Sequence, residues 1–326
     1  MAKTPSSPKQ PLGGGVSPAE RSDTVSLSRV GVGPGLLTCF LIPECRVRAA
    51  LSAPQGMGFV PSLPLWGNTE LPGAQATDIA CSFTGFQIFF SVISPQISAM
   101  LSTTYPQLSK AKQCEWDSRC VSTVHAFVVG SFCLYILAYD DAVNSDPIWG
   151  DPFQVKLNVA ITCGYLIYDL VLLARFWKVM RDPYIVCHHM AVLYAYGYVL
   201  NRGVLPYFAN FRLISELSTP FVNQRWFFDA VGMPRSSWMV LLNGFAMAAV
   251  FFVVRIAVIP SYYSQVFATF GTEGYIRLGI GPQVAWIVSC VILDILNVFW
   301  MYKIARGFYR VVKSKPEGKP KRNHAD

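Results

Sequence analysis

Charge is what this chain has least of. Of its 326 residues only 14% are Asp, Glu, Lys or Arg, and 52% are hydrophobic, whereas soluble domains carry about 25% charged residues. So little charge cannot cover a water-facing surface, which excludes an ordinary soluble globule. CxxC pairs are also missing. The nine cysteines, at 39, 45, 81, 114, 120, 133, 163, 187 and 290, have no regular spacing, and several fall inside apolar runs. That excludes a zinc ribbon or a disulfide framework and predicts buried thiols. There is no GxSxG nucleophile elbow, no phosphate-binding loop, no dinucleotide fingerprint and no HExxH, so the matching soluble-enzyme chemistries are disfavoured.

Long hydrophobic runs are what the chain does have. A bilayer core about 30 Å thick needs roughly 20 mostly apolar helical residues. Seven runs approach that length, at 83–101, 121–139, 155–176, 184–200, 204–222, 238–259 and 284–304. The fifth is the weakest, because Asn210, Arg212 and Glu216 interrupt it. The expected fold is all-α, a polytopic transmembrane bundle of six to seven spans.

The few charges are ordered. The first loop carries Lys110, Lys112 and Arg119; the second has Asp140, Asp141, Asp146 and Asp151, with Lys156 at its far end; the third has Arg175, Lys178 and Arg181. Basic loops then alternate with poor ones as far as the tail, where Lys303, Arg306, Arg310, Lys313, Lys315, Lys319, Lys321 and Arg322 cluster. The positive-inside rule reads this as N-terminus luminal and C-terminus cytosolic. The net charge of +8 lies mostly in that tail, which predicts a lipid-facing segment and no nucleic-acid partner. Residues 1–80 are rich in Pro, Gly and Ser without helical periodicity and are expected to be a disordered extension. Their one apolar stretch, 30–42, is too short to span; a signal peptide is the weaker reading of it. The expected domains are therefore 1–80, a membrane domain over 81–310 and a basic tail over 311–326.

Ionisable groups inside a bilayer cost roughly 3 kcal/mol each on insertion scales, so they face the bundle interior and are candidate functional residues. Here they are His125, Asp169, His188, His189, Arg212, Glu216, Arg255 and Asp294. The adjacent His188 and His189 project about 100° apart on a helix, so at least one faces inward, where imidazole can serve as base or metal ligand. The plainer alternative is that one of them bonds a neighbouring helix. Asp169 follows Tyr165 by one turn and can accept its hydroxyl, but needs a basic partner from another helix. Arg212, Ser215, Glu216 and Thr219 share one helical face, on which Arg212 can pair with Glu216; a polar seam locking helices together is as good a reading as catalysis. Asn210 points away and is expected to bond a neighbour. Asp294 and Asn297 form another stripe, His125 stands alone, and Arg255 can snorkel toward the luminal end of its span; the last two are read as structural.

The strings STVHAFVVG (122–130), GYLIYDL (164–170), YIVCHHMAVLYAYGYVL (184–200) and RLISELSTPFVNQRWF (212–227) together resemble the TLC (TRAM–LAG–CLN) domain, over roughly residues 82–315. The resemblance implies an endoplasmic-reticulum multispan bundle acting on lipid. Its best-known branch, the ceramide synthases, acylates a sphingoid amine from acyl-CoA with a paired-histidine motif, which His188 and His189 match. The synthases carry His-Asp and a second Asp in the next helix; here Arg212 and Leu213 and then Glu216 stand there.

The combined expectation is a protein of lipid homeostasis whose helices enclose an acyl-chain-sized cavity. His188, His189, Asp169 and Glu216 would be its catalytic candidates, with Tyr165, Arg212 and Asp294 lining the lipid. The expected partner is membrane lipid, with a homo-oligomer left open and no resident cofactor or metal; acyl-CoA would enter only as co-substrate of an acyltransferase. Two alternatives stand beside these, a zinc-dependent lipid hydrolase built on His125, one of the paired histidines and Asp169 or Glu216, and a non-enzymatic sensor or cargo adaptor acting through the tail. Glycosylation acceptors inserted near residues 146 and 273 should be modified during membrane insertion, and one near residue 110 should not; the reverse pattern, read by gel shift, would invert the orientation.

Overall fold

A computed structural model describes residues 73–313. Among them there are seven long helical segments and no strand: α1 (Gly73–Leu101), α2 (Lys110–Tyr139), α3 (Phe153–Arg175), α4 (Pro183–Arg202), α5 (206–230), α6 (Trp238–Thr269) and α7 (Ile280–Lys313). Five of them, α1, α2, α3, α6 and α7, are long and apolar enough to cross a membrane. The apolar side chains on the outside fit that reading: Met100 is 84% exposed, Ile295 64% and Phe245 62%, a surface suited to lipid and not to water. The expected helical membrane fold is therefore observed.

Two boundaries differ from the sequence reading. α1 begins at Gly73, inside the segment assigned to the extension. Pro72 is the last of the closely spaced prolines, and 73–80 contains none, so the helix can start there. α7 runs on to Lys313, past the boundary at 311. The remainder of the extension, with the apolar stretch 30–42, and tail residues 314–326 lie outside the described residues.

Local chemistry sets three of the helix ends. Ser109 accepts the Lys112 amide, Asp182 accepts the amides of Tyr184 and Ile185 ahead of Pro183, and Gly203 ends α4 at φ 66°. Beyond it Leu205 also has positive φ, at 59°, a conformation that costs a β-carbon residue roughly 1–3 kcal/mol. It is held there by its amide bond to the Ile148 carbonyl (2.8 Å) and by burial.

Within the seven long segments three stretches depart from α-geometry, and each contains the residue four before a proline. Ser91 precedes Pro95 in the π-helical turn Phe89–Ile93, Glu216 precedes Pro220 in the 3-10 segment Leu213–Ser218, and Ile256 precedes Pro260 in the π-helical turn Phe252–Ala257. Proline lacks the N–H that would bond that carbonyl, and its ring crowds it, so the preceding turn tightens or widens.

α3 is the central helix: most of its apolar stretch is buried, whereas most of those of α1 and α6 are not. One apolar core gathers around it, with Val129, Val159, Tyr168 and Leu172; a second lies among Phe208, Tyr262, Trp286 and Cys290. The loops assigned to one face by charge alternation meet at one end of the bundle. Trp149 Nε1 donates to the Gly274 carbonyl (3.0 Å), and Arg202 to that of Leu278 (3.2 Å). At the other end Trp116 packs on Trp226 and Phe227. There Asp117, buried at the start of α2, accepts hydrogen bonds from Ser94 (2.7 Å) and Tyr105 (2.8 Å). Burial, and then that bond, push the Tyr105 phenol well above its usual range.

The thiols correct an expectation. All seven cysteines among the described residues are free, but only Cys133, Cys163 and Cys290 are buried; Cys81 and Cys187 are exposed on the outer surface. A membrane bundle turns that surface to lipid, where a thiol sits as comfortably as a small apolar side chain. α1 approaches α3 closely at Gly164, where a β-carbon would lie 2.7 Å from the Ile79 carbonyl oxygen. Gly164→Val should therefore destabilise the solubilised protein by about 1–3 kcal/mol, read as a lower Tm, whereas Gly197→Ala, with nothing within 4 Å of its β-carbon, should leave Tm nearly unchanged.

Candidate functional site

The paired histidines divide. His189, on α4, turns into the bundle: its Nε2 lies 2.9 Å from Asp169 Oδ2 on α3, and both residues are 7% exposed. With a carboxylate as acceptor, Nε2 is the donor of this bond. Nδ1 is buried and has no hydrogen-bond partner among the described residues. Asp169 thus gains the basic partner that its own helix lacks. Tyr165 does not bond it; it stacks on His125 instead, with ring centroids 3.9 Å apart and planes at 13°. His125, buried in α2, also has Glu216 at 3.9 Å from its Nδ1, and neither of its nitrogens has a hydrogen-bond partner among the described residues.

His188 points elsewhere, with its ring edge-on to Trp300 of α7 at 5.5 Å. It lines a cavity among the helices, part of it open to the outside. The walls come from α3 to α7. They are mainly apolar (Leu166, Val192, Val199, Phe208, Leu293), with Arg212, Glu216 and Arg255 as their charged members and His188 beside them. His189, Asp169, Tyr165, His125 and Asp294 lie outside the lining. Of the four catalytic candidates, then, His188 and Glu216 reach the cavity, while His189 and Asp169 form a pair apart from it.

Arg212 corrects the expectation of an Arg212–Glu216 pair. Its two terminal nitrogens grip Asp294 on α7, at 2.5 and 3.1 Å, and its guanidinium lies 3.9 Å over the ring of Tyr262. Tyr263 donates to the same carboxylate at 2.8 Å. The 3-10 geometry of 213–218 removes the α-helical register on which the expected pair depended. Glu216 instead accepts from Thr219 at 3.1 Å. Asn210 bonds across helices as expected, donating to the Cys133 carbonyl at 3.1 Å.

Arg255 is the residue that sequence reasoning placed wrongly. It does not snorkel; it is 8% exposed and lines the cavity. Nε donates to the Ser215 carbonyl (3.2 Å) and the Ser218 hydroxyl (2.9 Å), and Nη1 to Asn297 Oδ1 (3.0 Å). Pro260, five residues on, was the available signal: it widens the turn that carries Arg255. Among the described residues no group of three or more His, Cys, Asp or Glu side chains is arranged to hold a metal ion; the ligands named for the hydrolase alternative form two separate pairs.

Removing one member of the His189–Asp169 pair leaves the other buried without its partner, which costs about 3–5 kcal/mol. His189→Ala and Asp169→Ala should each lower stability by that order, and the double variant should recover about 1–3 kcal/mol relative to their sum. Chemical denaturation of the solubilised variants measures this double-mutant cycle.

Comparison with known proteins fits the same frame. The model of the TLC domain (TRAM, LAG1 and CLN8) matches residues 115–306, from α2 to α7. The chain is 84% identical over 245 residues to TLC domain-containing protein 4 of Xenopus tropicalis, covering 75% of this chain and 95% of that one. It is 64% identical over 241 residues to TLC domain-containing protein 4-B of Danio rerio, with 74% and 91% covered. With TLC domain-containing protein 4 of Homo sapiens the identity is 48% over 240 residues, again with 74% and 91% covered. With its helical membrane architecture and this match over most of the bundle, the chain belongs to the TLC-domain family.

Proposed function

We propose that this protein binds a membrane lipid within its helical bundle and acts in lipid homeostasis, with the endoplasmic reticulum as its site of action. The observation that carries the reading is the cavity: a mainly apolar-walled space among α3 to α7 into which His188, Arg212, Glu216 and Arg255 also face. That is the pattern of a site for a ligand with a long apolar body and a small polar end. A water-soluble ligand would leave most of those walls unmatched.

A catalytic version has one specific support, the division of the histidines. His188 lines the cavity with its Nδ1 unpartnered, while the neighbouring His189 is fixed by Asp169. In an acyl transfer from acyl-CoA, His188 would take the proton of an amine or hydroxyl nucleophile as the new C–N or C–O bond forms. The C–S bond then breaks, and the departing thiolate receives that proton. Glu216, the other cavity-facing candidate, would orient the nucleophile.

Lipid extracted from the purified full-length protein tests the binding reading. A stoichiometric lipid should remain with the wild type, and Ala195→Trp, which fills the cavity, should reduce it about ten-fold or more, equivalent to at least about 1.4 kcal/mol of binding. Equal retention in the two proteins would sink the reading. Turnover of acyl-CoA with lipid amines or alcohols, lost in His188→Ala at unchanged lipid retention, would establish the catalytic version; no product in the wild type would remove it.

A further inference from the structure

We propose that Arg255 is the anion-binding residue of the cavity, and that the ligand is an amphiphile whose head carries a carboxylate or phosphate. This rests on the cavity being a lipid site and adds the chemistry of the head.

Two arginines line the cavity, and they are neutralised very differently. Arg212 is matched by a bidentate carboxylate and an aromatic face. Arg255 is held by a carbonyl, a hydroxyl and a side-chain amide, with its guanidinium 5.0 Å over the Phe251 ring, and none of these partners is charged. Arg255 takes part in none of the ion pairs among the described residues. Guanidinium keeps its charge in proteins, and a charge within a bilayer is costly unless matched. Neutral acceptors fix the orientation of the group without cancelling its charge.

The carboxylate on the cavity wall makes no direct ion pair with Arg255. Glu216 lies on the 3-10 segment that packs against the π-helical turn of Arg255, and it also lines the cavity. Yet its carboxylate sits at His125 (3.9 Å) and Thr219 (3.1 Å), with no ion pair to Arg255. The same segment instead supplies Ser215 and Ser218, which hold Nε. With Nε and Nη1 engaged, Nη2 has no hydrogen-bond partner among the described residues. A pre-oriented guanidinium with donors to spare suits an oxyanion, and the π-helical turn that carries it is a geometry frequent at functional sites. A carboxylate or phosphate there leaves its acyl chain among Val192, Val199, Phe208 and Leu293. A neutral head would leave the charge unmatched.

The test uses full-length protein in phosphatidylcholine nanodiscs and photo-crosslinkable amphiphiles with one alkyl chain and three heads: carboxylate, phosphate and hydroxyl. Labelling of α4, α5 and α7 peptides is read by mass spectrometry and normalised to labelling of bulk lipid. At least one anionic probe should label the wild type about ten-fold more than the alcohol, as a charge-assisted hydrogen bond supplies. Arg255→Gln should abolish that preference, and Arg255→Lys should keep part of it. Millimolar inorganic phosphate should not displace the probe; displacement would mark a soluble anion and overturn the amphiphile assignment. Equal cavity labelling by all three heads would overturn the anion site while leaving the lipid cavity standing. Failure of every probe to label cavity peptides would overturn the lipid reading beneath it. The comparison of heads in the wild type decides the matter even if Arg255→Gln does not fold.

Discussion

An ionised group removed from water inside a bilayer must find its partner within the bundle, and this constraint organises the molecule. Asp169 ties α3 to α4 through His189, and Asp294 ties α7 to α5 through Arg212. Glu216 brings α5 to His125 of α2, and Arg255 joins α6 to α5 and α7 through Ser215, Ser218 and Asn297. Between apolar helices with no hydrophobic drive to associate in lipid, such contacts specify which neighbours meet. The polar residues therefore serve as register marks for the fold before they serve any chemistry.

Proline decides where those marks can point. Pro220 and Pro260 each disturb the turn four residues earlier, and the two disturbed turns pack against one another at the cavity wall. Regular α-geometry would have put Arg212 and Glu216 one turn apart on one face. The 3-10 segment releases that pair, sending Arg212 to Asp294 and Glu216 to His125. The departures from ideal helix are thus part of the site's construction.

Within the TLC-domain family the paired histidines invite one joint role, but their surroundings here differ sharply. One imidazole is locked to a carboxylate away from the cavity; the other lines it against Trp300. Adjacent positions on a helix diverge by about 100°, so two neighbouring residues serve a wall and a core. A reading that assigns chemistry to the pair as a unit misses this division of labour, which makes His188 and His189 separable by experiment.

The sequence by itself determined the helical membrane architecture, because hydropathy and the alternation of loop charge are local sums that tertiary contacts do not alter. It also marked the ionisable residues of the spans, because each is conspicuous against an apolar background. Their pairing was not legible. Arg212 had a plausible partner four residues away and took another 82 residues on, Tyr165 chose His125 over Asp169, and Arg255 stayed inside where snorkelling had been expected. Partner choice depends on the angle at which helices cross and on turns that proline has rewound. Both are properties of packed neighbours distant in the chain, so only the tertiary structure could decide which charges meet and which of them face the cavity.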